Sequence, residues 1–243
     1  MPLDPTPWLR PAWPGVTAFM TTLGPNFGRK AGDPALAMAH RAELAGLLGA
    51  RPVFLDQVHG ATVVRLQRDW HDGNAPQADA AVSTDPALAV AILVADCLPV
   101  LFTAPGGVAG AHAGWRGLAA GVLENTVAAL CEAAGCPPGD VQAWLGACIG
   151  PEAFEVGPEV VAAFGRVPVE RDQPGFLYRP NPQPRWRANL PLLARERLAA
   201  AGVTGISGGG WCTLTDDSRF FSFRGEALGR PRGRMAACIA LGR

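Results

Sequence analysis

Three residues stand where chemistry is easiest to build: His59, Cys97 and His112, separated by 38 and 15 residues. His59 and His112 each lie between an apolar segment and a glycine, which lets the backbone turn sharply and a ligand come close. Cys97 ends the longest apolar run of the chain. Two imidazoles and a thiolate are a familiar ligand set for catalytic zinc, with a fourth position left for water or substrate. A metal so held lowers the pKa of bound water toward neutrality. The spacings fit no compact zinc-finger pattern, so the fold itself must assemble such a site. Taken singly, the cysteine reads as an ordinary packed thiol and each histidine as a core or loop anchor. Their joint placement at strand ends is what argues for a site.

Other polar residues lie beside glycines or strand ends. Arg116 stands at the start of an expected helix, where a guanidinium and free amides suit phosphate or carboxylate. The neighbouring Trp115 can stack on a planar ring or pack on the helix. Asn26, Gln57, Asp79, Glu155, Arg224 and Arg234 are further candidates for lining a pocket. Of the remaining histidines, His40 falls mid-helix and His71 in a polar loop, and both are expected to face solvent.

The elements that must position these side chains are readable in outline. Residues 87–95 are unbroken apolar sequence, the mark of a strand buried on both faces. Residues 98–102 and 108–111 flank Pro105-Gly106, a hairpin tip that sets Ala104 against Gly107 and His112 opposite Pro99. Cys97 then lies one diagonal step from His112. Asp33-Pro34 caps a helix ending at Gly49. Further strands are expected over 16–21, 52–55, 62–66, 80–83, 143–149 and 235–241, and helices over 118–134, 158–164 and 190–201. Residues 1–24 read as an irregular arm, 67–78 as a surface loop, the stretch through Arg187 as an irregular insert, and 220–223 as an apolar segment. Irregular alternation with antiparallel neighbours predicts one mixed α/β domain over residues 1–243, with helices outside packed sheets.

Composition excludes several classes. Lys and Arg together number 21, as do Asp and Glu, so the formal charge is zero and gives no footprint for nucleic acid or an anionic membrane. Lys30 is the single lysine. No signal peptide or membrane-length apolar run is visible. The six cysteines are scattered and expected to be reduced, which places the chain in the cytoplasm. No GxGxxG or Walker-type loop opens a helix, which argues against nucleotide cofactors bound in those ways.

Six strings then carry a resemblance: LDQVHG (55–60), ADAAVS (78–83), VADCLPVLF (94–102), AGAHAGWRG (109–117), IGPEAFEVG (149–157) and CTLTDDSRFFSFR (212–224). The chain resembles the polyphenol oxidase or laccase-domain family, whose members are also described as purine nucleoside phosphorylases and as a peptidoglycan editing factor. The resemblance implies a single α/β/β/α domain similar in its core to a Cys-His toxin deamidase, with a metal centre at His59, Cys97 and His112. It implies phosphorolysis of adenosine, inosine, guanosine and methylthioadenosine, and hydrolytic deamination of adenosine. Its partners are thus small molecules, nucleoside and phosphate, with no nucleic acid or membrane, and a monomer is expected. The sequence departs from the family pattern around Asn26, where Gly24-Pro25-Asn26-Phe27-Gly28 keeps only the asparagine and the last glycine, and at Asn189 and Arg197. Those departures bear on the pocket rim and substrate preference.

Zinc is favoured over copper, because a blue multicopper oxidase needs far more histidines than the four present. In the nucleoside reading Arg116 orients phosphate, and Glu155 or Asp96 supplies general acid–base help. The competing reading is a metal-free hydrolase or amidase acting on peptidoglycan precursors, with Cys97 as nucleophile and His112 as base. A non-enzymatic binding protein ranks third.

Overall fold

The computed structural model describes residues 3–70 and 74–242. In chain order the first half contains strand β1 (Val16–Met20), helix α1 (Pro34–Leu48), β2 (Arg51–Phe54), β3 (Val63–Arg65), β4 (Ala80–Ser83), β5 (Leu88–Val94), β6 (Leu98–Ala104) and β7 (Gly107–Ala113). There follow helices α2 (Trp115–Ala119) and α3 (Val122–Ala134), β8 (Gln142–Leu145), β9 (Glu155–Val156) and α4 (Pro158–Ala163). The chain continues through β10 (Phe176–Asn181), β11 (Gln183–Ala188), α5 (Leu190–Ala200), β12 (Gly205–Gly208), α6 (Phe223–Glu226) and β13 (Met235–Leu241).

Two sheets pack face to face. One has the order β1-β13-β5-β2, the other β12-β8-β6-β7-β4-β3. Alternation along the central strands builds the layers, because successive side chains point to opposite faces. In β5, Leu88, Val90, Ile92 and Val94 enter the core between the sheets, while Ala89 and Ala91 pack beneath α1 with Leu44 and Leu48. In β6, Leu101 faces the intersheet core, whereas Val100 and Phe102 meet Leu123, Val127 and Leu130 of α3 and Leu198 of α5. The result is the expected α/β/β/α layering in one mixed domain.

Local chemistry explains what was readable. Asp33 accepts hydrogen bonds from the amides of Ala35 and Leu36, and Gly49 ends α1 in the left-handed region at φ 65°. The hairpin register is as expected, with Ala104 against Gly107 and Pro99 against His112.

Elsewhere tertiary structure overrules the pattern. The helix expected over 118–134 is two helices, because Gly121 takes φ 91° between α2 and α3. The irregular insert contains the β10–β11 hairpin, which also pairs with β9. Pro180 and Pro184 sit opposite one another in it, tolerated because β10 is an edge strand and β9 pairs with β11 only at Trp186 and Arg187, beyond Pro184. The strand expected over 143–149 stops at Leu145. The apolar segment 220–223 forms no strand; Ser222 caps the short α6 instead, accepting from the amide of Gly225. The Gly-rich β12 completes the larger sheet in parallel with β8. Among the described residues no helix is long and apolar enough to cross a membrane.

The two sheets come close together at Gly110 of β7. A Cβ on Gly110 would lie 2.9 Å from Val90 Cγ1 and 3.1 Å from Ile92 Cγ1. Gly110→Val is therefore expected to lower stability by about 1–3 kcal/mol through overpacking, read as a lower midpoint in urea with an unchanged slope. A midpoint equal to the parent's contradicts this packing.

Candidate metal centre and its cleft

The site forms where chain segments cross the ends of the two sheets. Between β5 and β6 the backbone reverses through Asp96, which holds φ 84°. Aspartate tolerates that left-handed region better than most residues. Its carboxylate accepts from Thr213 Oγ1 at 2.6 Å and from the amide of Arg224 at 2.7 Å, while its carbonyl accepts from the amide of Ile149 at 2.9 Å. This lock presents Cys97 at the start of β6.

His59 also takes a positive φ, 62°, on the turn after β2. Asp79, fully buried just before β4, stabilises that turn. Its carboxylate accepts from the amides of Val58, His59 and Gly60 at 3.1, 2.9 and 2.7 Å. The same carboxylate lies 2.8 Å from His112 Nδ1, and the Asp79 carbonyl accepts from the His112 amide at 2.7 Å. One acidic side chain thus fixes the His112 imidazole and the backbone turn that carries His59, and leaves His112 Nε2 to face the site. That is the outer-shell arrangement in which metal-ligating histidines are usually found.

Cys97 Sγ lies 3.9 Å from His59 Nε2, and the two imidazole rings meet edge to face with centroids 4.8 Å apart. One ligand atom from each of His59, Cys97 and His112 falls within 4.8 Å of the others. A tetrahedral zinc with ordinary bond lengths spaces its ligands about 3.4–3.8 Å apart, so the widest pair of this set has to close by about 1–1.4 Å, within reach of side-chain rotation. The donor set, its spacing and the carboxylate behind it all fit a metal ion.

Two glycines permit this convergence. A Cβ on Gly114 would stand 2.9 Å from Cys97 Sγ, and one on Gly117 would stand 2.5 Å from the Gly60 carbonyl oxygen. No side chain fits at either place. The HAGWRG string therefore encodes a close approach of α2 to the His59 turn.

Charge within the trio is redistributed. Burial pushes the Cys97 thiol up, but the charge of His112 and hydrogen bonds from both histidines outweigh it and bring it to about 6. Burial works against the His112 imidazolium, yet Cys97 and Asp79 together raise it to about 9. Asp79 feels the same opposition: burial raises it, and the bonds from His112 and the turn amides hold it below the usual carboxylate range. Without metal the site is a thiolate–imidazolium pair, and a metal ion must displace the shared proton.

The trio opens into a cleft of about 860 Å³. Gln57, Arg116, Arg224 and Arg234 line it, together with Trp115. Gln57 lines it while its amide is occupied by β5, accepting from the Leu93 amide at 2.8 Å and donating to the Leu93 carbonyl at 2.9 Å. Arg116 is exposed, its guanidinium 4.3 Å from the Trp115 ring centroid. Among the described residues no carboxylate pairs with it.

Other candidates sit elsewhere. Asn26 is absent from the cleft lining. Its side chain ties the following loop together, donating to the Gly28 and Ala31 carbonyls and accepting from the Gly28 and Arg234 amides. Glu155 lies on β9 outside the cleft and offers Arg224 only its carbonyl, at 3.0 Å. Asp96 reaches the cleft but has both oxygens committed. The amides expected to help Arg116 belong to a helix of five residues, so anion binding there falls to the guanidinium. His40 is half-buried, 2.9 Å from the Asn26 carbonyl, and His71 lies outside the described residues. Asn189 caps α5, and Arg197 pairs with Glu124 at 2.8 Å, so those departures alter helix packing. The sequence reading undervalued Asp79. Its signal was present: an acidic residue embedded in Ala78-Asp79-Ala80-Ala81, where burial demands partners.

Residues 18–242 match the family model described as multi-copper polyphenol oxidoreductase laccase. The chain belongs to this family. Among laccase-like relatives, it is 43% identical to a purine nucleoside phosphorylase of Pseudomonas aeruginosa, covering 96% of this chain and 98% of that one. It is 42% identical to purine nucleoside phosphorylase YfiH of Escherichia coli, covering 95% and 97%. Two crystal structures share the fold. YlmD from Geobacillus stearothermophilus matches with a TM-score of 0.84 at 30% identity, covering 99% of this chain and 98% of that one. A Neisseria meningitidis protein matches with a TM-score of 0.82 at 34% identity, covering 98% and 100%.

Two outcomes follow from the geometry. Asp79→Asn keeps the size of the side chain but removes its charge, and is expected to weaken zinc binding about 10–100-fold in a competitive chelator titration. Unchanged affinity contradicts the outer-shell role. In metal-free protein, alkylation of Cys97 is expected to rise through about pH 6, because a lowered pKa leaves thiolate above that value and thiol below it. His112→Gln moves this rise upward toward about pH 8.5, the ordinary thiol range. A rise at the same pH in both proteins contradicts the ion pair.

Proposed function

We propose that this protein is a zinc-dependent purine nucleoside enzyme, which cleaves adenosine, inosine, guanosine or methylthioadenosine with phosphate and deaminates adenosine to inosine. One observation carries the proposal: His59, Cys97 and His112 converge at a cleft that also offers Arg116, exposed and, among the described residues, without a carboxylate partner. The names of the bacterial relatives, similar over nearly the whole chain, support the same substrate class.

A zinc ion held by the trio supplies Lewis acidity and brings the ionisation of water into the neutral range. The protein's own groups do the rest. Asp79 fixes the ring of His112 and the turn bearing His59, so the ligand geometry exists before substrate arrives. Arg116, steadied over Trp115, presents planar donors suited to phosphate. Phe154, Ile149, Leu190 and Phe223 give the cleft an apolar wall for the purine. In phosphorolysis a phosphate oxygen bonds to C1′ as the C1′–N9 bond breaks and the purine leaves with a proton. In deamination water adds at C6 and ammonia departs. Neither Glu155 nor Asp96 is placed to move these protons.

A second reading rests on a specific feature. Cys97, His112 and Asp79 form the nucleophile, base and orienting carboxylate of a cysteine hydrolase, already ionised as thiolate and imidazolium. There Cys97 attacks an amide carbonyl and His112 gives its proton to the leaving amine, as an amidase on cell-wall precursors requires. Copper oxidase chemistry of the blue multicopper kind is excluded by ligand supply, since the chain has four histidines and His40 is engaged elsewhere.

Purified protein incubated with adenosine and phosphate is expected to yield adenine and inosine, and to lose both activities on chelation with recovery on added zinc. Cys97→Ala is expected to lose both while keeping its melting temperature within about 2 °C, the scale of an effect near 0.5 kcal/mol. Full turnover by that variant, or by chelated protein, sinks the zinc reading. Survival under chelator with loss on alkylation of Cys97 selects the hydrolase.

A further inference from the structure

We propose that the cleft carries a second anion subsite, formed by Lys30 and Arg232, which binds the phosphate of a purine nucleoside 5′-monophosphate. This rests on the nucleoside reading and extends its substrate class from nucleosides to their monophosphates.

The chain has no net charge, yet its cleft is strongly cationic. Among the described residues, Asp56 and Asp96 are the acidic side chains in the lining, and the cationic ones far outnumber them. A concave wall of one sign focuses field into the cleft and draws in anions. These cations fall into distinct groups. Arg116 stands on α2 beside the metal trio. Arg41 and Arg234 serve the structure: Arg41 donates to the Phe27 carbonyl and lies over the Phe54 ring, while Arg234 pairs with Glu226 at 2.8 Å.

Lys30 and Arg232 differ. Both line the cleft, both side chains are mostly exposed, and Arg232 Nη2 donates to the Lys30 carbonyl at 3.2 Å. Lys30 is the chain's single lysine, in a protein that otherwise places arginine at every basic position. Its ammonium lies 3.8 Å from Asp56, and Arg232 reaches Glu226 only at 3.5 Å. An ammonium has three donors and a guanidinium five, so these contacts leave donors for a ligand.

The backbone beneath the pair is fixed. Phe27 donates its amide to the Arg234 carbonyl at 3.0 Å, and a Cβ on Gly28 would lie 2.6 Å from Arg234 Cγ. The loop carrying Lys30 and the segment carrying Arg232 are therefore packed together without space between them. A cleft of about 860 Å³ lies near the upper end of the usual range of about 300–1,000 Å³, with room for a nucleotide and a separate phosphate. In the reaction of such a substrate, a phosphate oxygen bonds to C1′ while the C1′–N9 bond breaks. The purine leaves with a proton, the 5′-phosphate stays in place, and the product is ribose 1,5-bisphosphate.

The test compares adenosine with adenosine 5′-monophosphate on the zinc-loaded full chain, in the parent and in Lys30→Ala/Arg232→Ala. The parent is expected to favour the monophosphate in kcat/KM by about tenfold or more, the scale of one charge-assisted hydrogen bond, and the double variant to bring the ratio near one. Calorimetry with the monophosphate on Cys97→Ala protein, with and without the two substitutions, reads binding without turnover. Loss of binding on substitution supports the subsite even if adenosine is not a substrate, in which case the nucleoside reading alone falls. A ratio near one in the parent, monophosphate binding indifferent to the substitutions, or absent binding overturns the subsite whether or not adenosine is turned over. A raised KM for inorganic phosphate with adenosine as substrate also overturns it, because the pair then holds the co-substrate.

Discussion

Asp79 puts a carboxylate where no solvent reaches and gives it a full set of partners. Three successive turn amides, one imidazole nitrogen and, through its carbonyl, the amide of β7 are bound by this one residue. A buried carboxylate left unpaired is costly, so the turn bearing His59 and the strand bearing His112 are each held where the charge needs them. That constraint is why two histidines far apart in sequence meet with ring centroids 4.8 Å apart. It also biases the chemistry: a negative neighbour favours the protonated form of His112 in the absence of metal, and a fixed Nδ1 leaves Nε2 as the ligand when metal is present.

The fold supplies the third member from the other direction. β5 belongs to one sheet and β6 to the other, and the step between them is made in three residues, with Asp96 taking the left-handed conformation. Its carboxylate is spent on Thr213 and the Arg224 amide, which draws the C-terminal segment over the cleft. Carboxylates in similar sequence settings thus have different tasks. Asp79 organises ligands, Asp96 organises backbone, and neither is free for proton transfer.

Much of this was legible wherever local rules decide the outcome. The hairpin register followed from Pro105-Gly106, the α1 boundaries from Asp33 and Gly49, and the double-sided burial of β5 from its unbroken apolar run. The convergence of His59, Cys97 and His112 could be anticipated because each ended such an element. What escaped was set by contacts distant in sequence. Gly121 splits a helix whose pattern reads as continuous, and β10 and β11 pair despite opposed prolines. β12 lacks apolar alternation and exists because β8 offers it an edge. Asn26 and Glu155 looked like pocket residues, yet their neighbours turn them to loop-tying and to the outside of the cleft. Polarity beside a glycine marks a constrained backbone, and the fold decides whether that constraint faces a ligand.

The proposed chemistry depends on a metal ion bound by one sulfur and two nitrogens. X-ray absorption at the zinc edge of the stoichiometrically loaded protein reads that shell directly. The expected spectrum contains one sulfur at about 2.3 Å and two imidazole nitrogens at about 2.0–2.1 Å, with the sulfur lost in Cys97→Ala. A shell without sulfur, one unchanged in that variant, or a protein that takes up no zinc contradicts the account.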